Sequence, residues 1–202
     1  MHLADGVLNL PTLVGAAICT AAGISLGLRK LSPQTLPSAA LFSAVFFIVG
    51  TIYVPVGIGS VHLILNGLIG LLLGWLAFPV IFIALILQAL LFSFGGFAVL
   101  GANTLLLALP AVLAHYTLKP FVRTALQKRR RLIFLGALAA IIGICGSTVI
   151  ASLMLWTTGQ RALINLIALF SAAQVPVLLI DIAVTSLVVA TLGRSLPSVL
   201  PK

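Results

Sequence analysis

The chain reads as an all-α polytopic membrane protein, a single integral membrane domain over residues 1–202, and three observations lead there. Of its 202 residues 62% are hydrophobic and only 6% charged, with a mean hydropathy of +1.33, beyond what a soluble domain of this size carries. No Asp, Glu, Lys or Arg occurs between Leu31 and Leu118, a run long enough for about four crossings at roughly 20 residues each. The basic residues sit in the connections between apolar stretches, so the net charge of +9 orients the chain rather than recruiting nucleic acid.

A short N-terminal segment, residues 1–9, precedes a first helix expected over 10–28, which ends at Arg29-Lys30 and the turn-like Ser32-Pro33-Gln34-Thr35-Leu36-Pro37. A second, over 38–54, stops at Pro55, Gly57 and Gly59. The third, over 61–75, carries His62 at its start, Asn66 one turn later, and Gly70 with Gly74 as a GxxxG pair for close helix approach. A fourth is expected over 79–93 and, beyond Gly95-Gly96, a fifth over 99–116. The strongly basic stretch Lys119 to Arg131 leads to a sixth over 132–155, and a seventh over 163–189 contains Pro176, a kink site. That makes about seven crossings in all.

With the N-terminus outside and the C-terminus cytoplasmic, every one of the eleven basic residues except Arg161 falls on the cytoplasmic side. The connection carrying His62 then lies on the same outer side as Met1-His2. No basic n-region precedes the first apolar stretch, so no cleavable signal peptide is expected. The bulky His2 disfavours removal of Met1, which leaves the free amine on Met1. Cys19 and Cys145 lack CxxC spacing and are expected as buried small hydrophobes.

Met1-His2 is a ready-made transition-metal chelate. The terminal amine, the backbone nitrogen between the two residues and the His2 imidazole close two small rings around one ion, and nitrogen ligands in a plane are the arrangement diagnostic of Ni(II) or Cu(II). His62, brought in by another element on the same side, supplies a fourth nitrogen; the other reading of both histidines is an amphipathic residue at the membrane boundary. The amine and the backbone nitrogen must lose protons, so binding depends on pH.

At these residues the chain resembles the CbiM/NikM family, the substrate-capturing membrane components of energy-coupling-factor cobalt and nickel importers. Met1-His2-Leu3-Ala4-Asp5-Gly6-Val7-Leu8 is similar to the family's opening. Val61-His62-Leu63-Ile64-Leu65-Asn66-Gly67-Leu68-Ile69-Gly70 is similar to a second hallmark. A third runs through Leu87-Gln88-Ala89-Leu90-Leu91-Phe92, Gly95-Gly96 and Leu100-Gly101-Ala102-Asn103-Thr104 to Leu109-Pro110. The resemblance implies Co(II) or Ni(II) as substrate, with no organic cofactor. It also implies ligands from Met1, His2 and His62 and a substrate-component bundle with an additional N-terminal helix that delivers Met1, in a prokaryotic plasma (inner) membrane. The implied partners are a CbiQ/NikQ-like coupling protein, CbiO/NikO-like ATPase subunits and a small CbiN-like accessory protein.

Other polar residues carry two readings each. Asp5, with Gly6, either shapes the turn that folds the N-terminus back or caps a helix. Asn66, taken on the same helical face as His62, orients the imidazole or makes a structural bond between helices, and Gln88 and Asn103 pose the same choice. Asp181, an ionisable group inside an apolar helix, supports the metal vestibule, contacts a partner, or makes a structural bond near the inner end. In the last helix Gln174-Val175-Pro176 stands where relatives often carry His-x-Pro, so no histidine role passes to Gln174. The run Lys128-Arg129-Arg130-Arg131 sets topology, with anionic lipid contact as its second reading.

The chain has no Walker A pattern, so it is not expected to hydrolyse ATP or act as an enzyme. Two other classes remain open: a vitamin-binding component of a related importer, indifferent to its N-terminus, and a membrane metalloenzyme. The latter needs an acid or base beside an open coordination position, and the outer half offers only Asp5.

Overall fold

Asn9 starts the first helix. Its side chain accepts the Thr12 N–H at 3.1 Å, and Pro11 sits in the first turn, where its missing N–H costs nothing. The computed structural model describes residues 3–51, 53–56, 59–158 and 162–201. Within them lie α1 (Leu10–Leu28), α2 (Leu36–Thr51), an antiparallel hairpin of β1 (Tyr53–Val56) and β2 (Gly59–His62), α3 (Asn66–Leu73), α4 (Ala77–Phe92), α5 (Leu100–Ala125), α6 (Arg129–Trp156) and α7 (Ala162–Ser195).

Five runs among the described residues are long and apolar enough to cross a membrane: α1, the stretch Asn66–Phe92, α5, α6 and Gln174–Ser195 of α7. The 16-residue α2 is shorter. The expected third helix over 61–75 does not form as one piece. Residues 59–62 pair with β1, residues 63–65 are irregular, and α3 is only eight residues long. Pro55, Gly57 and Gly59 disfavour helix on one side, and Leu65 adopts a left-handed conformation (φ 54°) that no helix continues through.

At Gly74 (φ 58°) the chain breaks into a short 3-10 turn, Gly74–Leu76, before α4. Gly74 therefore sits in a turn requiring positive φ rather than inside a helix, yet with Gly70 it still lies against α5. α3 runs alongside α5 in the same direction: Asn66 meets Leu107, Gly70 packs on Ala111 and Gly74 on His115. The link from Phe92 to Leu100 is too short to climb back along both helices, so α4 reverses. It runs with α2, where Ser43 Oγ donates to the Val80 carbonyl (3.0 Å) and Gln88 Nε2 to that of Phe47 (3.3 Å).

Side chains at the contacts are small because helices in lipid gain nothing from burying large apolar groups against each other and associate by close backbone packing. Gly67 lies against the Ala139 backbone of α6, Gly136 against Ser186 of α7, and Gly146 receives Pro110 of α5. The large apolar side chains face outward, Ile18, Leu41, Phe121, Trp156 and Leu179 among them, as a bilayer-contacting surface requires. Cys19 and Cys145 are on that exposed surface too, contrary to the expectation of burial. An apolar thiol loses nothing by facing lipid.

Candidate metal centre

Met1 and His2 lie outside the described residues, but the chain immediately after them is held tightly. Leu3, buried, donates its N–H to Asn103 Oδ1 (2.8 Å) and its carbonyl accepts from Asn103 Nδ2 (3.0 Å). One amide side chain of α5 thus pairs with both backbone groups of Leu3, as a neighbouring strand would. Asp5 adds a second fastening: its N–H donates to the Gly95 carbonyl (3.1 Å), and its Oδ1 accepts from Val99 (3.3 Å) at the start of α5. The carboxylate lies beside Gly96 (φ 113°), where no side chain would fit, and near the positive end of α5. Asp5 does not cap α1, whose cap is Asn9. Its partners are distant in sequence, unlike the local bond that turn chemistry suggests.

His62 closes β2 opposite Tyr53. Its Nδ1 donates to the Leu63 carbonyl at 3.0 Å, which fixes the tautomer and leaves the lone pair on Nε2, the arrangement of a metal-binding imidazole. Burial pushes the His62 pKa below its usual value, with the bond to Leu63 pulling the other way. The ring is therefore neutral at pH 7.

The irregular backbone after His62 lies deep in the bundle, where unpaired polar groups are costly. Asp181 of α7, fully buried, accepts the Leu65 N–H on Oδ2 (2.9 Å) and the Thr185 hydroxyl on Oδ1 (2.9 Å). It sits beside the start of α3 and bonds to the backbone of Leu65, the residue with left-handed conformation. Asn66 does not share a helical face with His62, which ends a strand. Its Nδ2 donates to the carbonyls of Leu107 (3.0 Å) and Gly143 (3.2 Å) and to Ser147 Oγ (2.9 Å), and its Oδ1 accepts from Gly67 (3.0 Å). Asn66 knots α3, α5 and α6 together. It also meets a turn of α5 that Pro110 loosens, since proline offers no N–H to the turn before it.

Asn103 and Leu107 are one helical turn apart on α5, on one face. The segment that follows Met1-His2 is fastened at the first, and the segment that follows His62 at the second. Leu3 and Ile64 belong to the same apolar cluster. Gln88, reaching Phe46 and Phe47, ties α4 to α2 and not to this face of α5. Gln174 of α7 is buried with no hydrogen-bond partner on Oε1. No group of three or more His, Cys, Asp or Glu side chains gathers among the described residues, so a site built from side chains alone is not formed there. Thr185, Ser147 and Leu65 were not signalled by the sequence. Buried hydroxyls and a positive φ have no pattern of their own.

Residues 2–199 match the family model CbiM, described as the cobalt uptake substrate-specific transmembrane region. The chain belongs to the CbiM family. A Haemophilus influenzae protein, named provisionally for metal transport, is 46% identical over 99% of this chain and 97% of its own length. The fused nickel transport protein NikMN of Rhodobacter capsulatus is 33% identical over 75% of this chain and 46% of its own length. The crystal structure of a truncated transition metal transporter superposes with a TM-score of 0.73 at 24% identity, over 95% of this chain and 98% of that one, which establishes a shared fold. This CbiM-family chain is thus a transmembrane component of metal uptake.

Asn103→Ala is expected to lower stability by about 1–3 kcal/mol, because it strands both backbone groups of Leu3. It should also expose the N-terminal segment to protease, and Asn103→Asp, which keeps one acceptor, should recover part of the loss. Thermal melting in detergent and limited proteolysis measure the two effects.

Proposed function

We propose that the chain captures Co(II) or Ni(II) from the outer side of a prokaryotic plasma membrane, using the Met1 amine, the His2 backbone nitrogen and imidazole, and His62 Nε2. The observation that supports this reading is the fastening of Leu3 and Asn66, which follow the two candidate ligand segments, to one face of α5 a single turn apart. Asp5 and Asn103 position the N-terminus, Asp181 shapes the backbone after His62, and Asn66 anchors it. The seven-crossing topology counts α2 as a short crossing. It also counts β2 and the irregular link to α3 as a discontinuous one, a device by which transporters place binding groups at mid-membrane.

Energy comes from elsewhere, since the chain has no phosphate-binding loop. A transmembrane coupling protein and ATPase subunits of the energy-coupling-factor type would drive inward release, with a small accessory membrane protein as a further subunit. The cobalt description of the family model and the nickel named in the Rhodobacter relative keep both ions as substrates. Metal-binding measurements on His2→Ala and His62→Ala test the reading; unchanged stoichiometry and affinity in both variants would sink it.

Binding should strengthen with rising pH. The Met1 amine and the His2 backbone nitrogen must give up protons to bind the ion, so affinity should climb as pH rises. Calorimetry in buffers of different ionisation enthalpy counts the protons released; release of none would contradict amine and amide ligation.

A further inference from the structure

At the basic end of the bundle a cavity of about 500 Å³ opens between the α1–α2 connection, the Gly74–Leu76 turn and α5. Lys30 and Lys119 line it together with His115 and Tyr116, and Trp75 and Phe42 form part of its apolar wall. The chain's two acidic side chains, Asp5 and Asp181, are both engaged elsewhere, at the start of α5 and at Leu65, so neither lysine has an acidic side chain of this chain beside it. His115 spends Nδ1 on the Leu71 carbonyl (2.9 Å), near the end of α3, and its ring meets that of Tyr116 edge-on at 5.1 Å. A second basic recess, lined by Lys119 and Arg123, adjoins it.

Two cations with no acidic side chain beside them, hydroxyl and imidazole donors, and an apolar wall together describe an amphipathic receptor. We propose that this cavity binds the phosphate of an anionic phospholipid, with the headgroup between Lys30 and Lys119 and an acyl chain along Phe42 and Trp75. Basic pockets between helices at the cytoplasmic face hold such headgroups for the same reason: a phosphate gains from paired cations at a depth where water no longer screens them fully. Free inorganic phosphate shares the chemistry but gains nothing from the apolar wall. A lipid seated here would brace the α1–α2 connection against the turn after α3, at the opposite end of the bundle from His62.

The test uses the full chain, purified without added lipid and titrated with micelles containing phosphatidylglycerol or phosphatidylcholine. Native mass spectrometry counts retained lipid and thermal melting reads affinity. Wild type should retain one phosphatidylglycerol in preference to phosphatidylcholine, and K30Q/K119Q should weaken that binding about thirtyfold, at two surface lysines' worth of attraction. The control K128Q/R130Q, with the same change of charge outside the cavity, should bind as wild type. Metal binding measured on all three proteins verifies folding. Equal retention of the two lipids, or equal losses in both double variants, would overturn the assignment. Displacement of the lipid by millimolar inorganic phosphate would overturn it in favour of a free-anion site. Failure of K30Q/K119Q to assemble with the coupling protein, with phosphatidylglycerol retention unchanged, would overturn it in favour of a protein contact.

Discussion

His62→Ala is expected to weaken Co(II) or Ni(II) binding by a hundredfold or more. The apparent binding free energy of a four-ligand site, roughly 10–16 kcal/mol for structural zinc, shared among its ligands gives about 3–4 kcal/mol each. The fold should survive, because Asp181 and Asn66 hold the neighbouring backbone through their own bonds. A peptide tag placed before Met1 should produce a loss of the same order by converting the amine to an amide, while a C-terminal tag leaves binding intact. Calorimetry with both ions, on proteins matched for thermal stability, separates ligand loss from unfolding. A tagged protein that binds normally would remove the amine from the ligand set.

Gly70→Val should prevent the bundle from assembling. Gly70 of α3 lies on the Ala111 backbone of α5, so an added Cβ would meet main-chain atoms that cannot rotate away. Overpacking against flexible side chains costs about 1–3 kcal/mol, and backbone opposition should exceed that. Expression should yield aggregate, or protein whose melting point in detergent falls by many degrees. Gly15→Val in α1, where an added Cβ meets nothing within 4 Å, is the matched control and should behave as wild type. Loss of fold in both would make the effect one of composition rather than of contact.

The membrane character was legible because it rests on quantities a sequence contains: the long uncharged run and basic residues confined to connections. Among the polar residues, the sequence signalled that Asp5, Asn66, Asn103 and Asp181 matter but not to what they bind. A carboxylate in an apolar helix is costly wherever it lies, so Asp181 stands out, yet its partner Leu65 is more than a hundred residues away and apolar. Asn66 falls in the same expected helix as His62 because apolar residues on both sides continue without a break. Periodicity does not separate a helix from a short extended stretch inside a uniformly apolar run.

The sequence by itself determined that this is a polytopic membrane chain with a Met-His dipeptide at its start and a histidine in the connection before its third apolar stretch. These are matters of composition and identity, carried by each residue alone. Only the tertiary structure decided that α3 begins at Asn66 after a left-handed Leu65, that Asn103 clasps the backbone of Leu3, and that the anchors of both candidate ligand segments stand one turn apart on α5. Each of these depends on which backbone groups are left without a partner when the helices pack, and that is set by contacts between residues far apart in the chain.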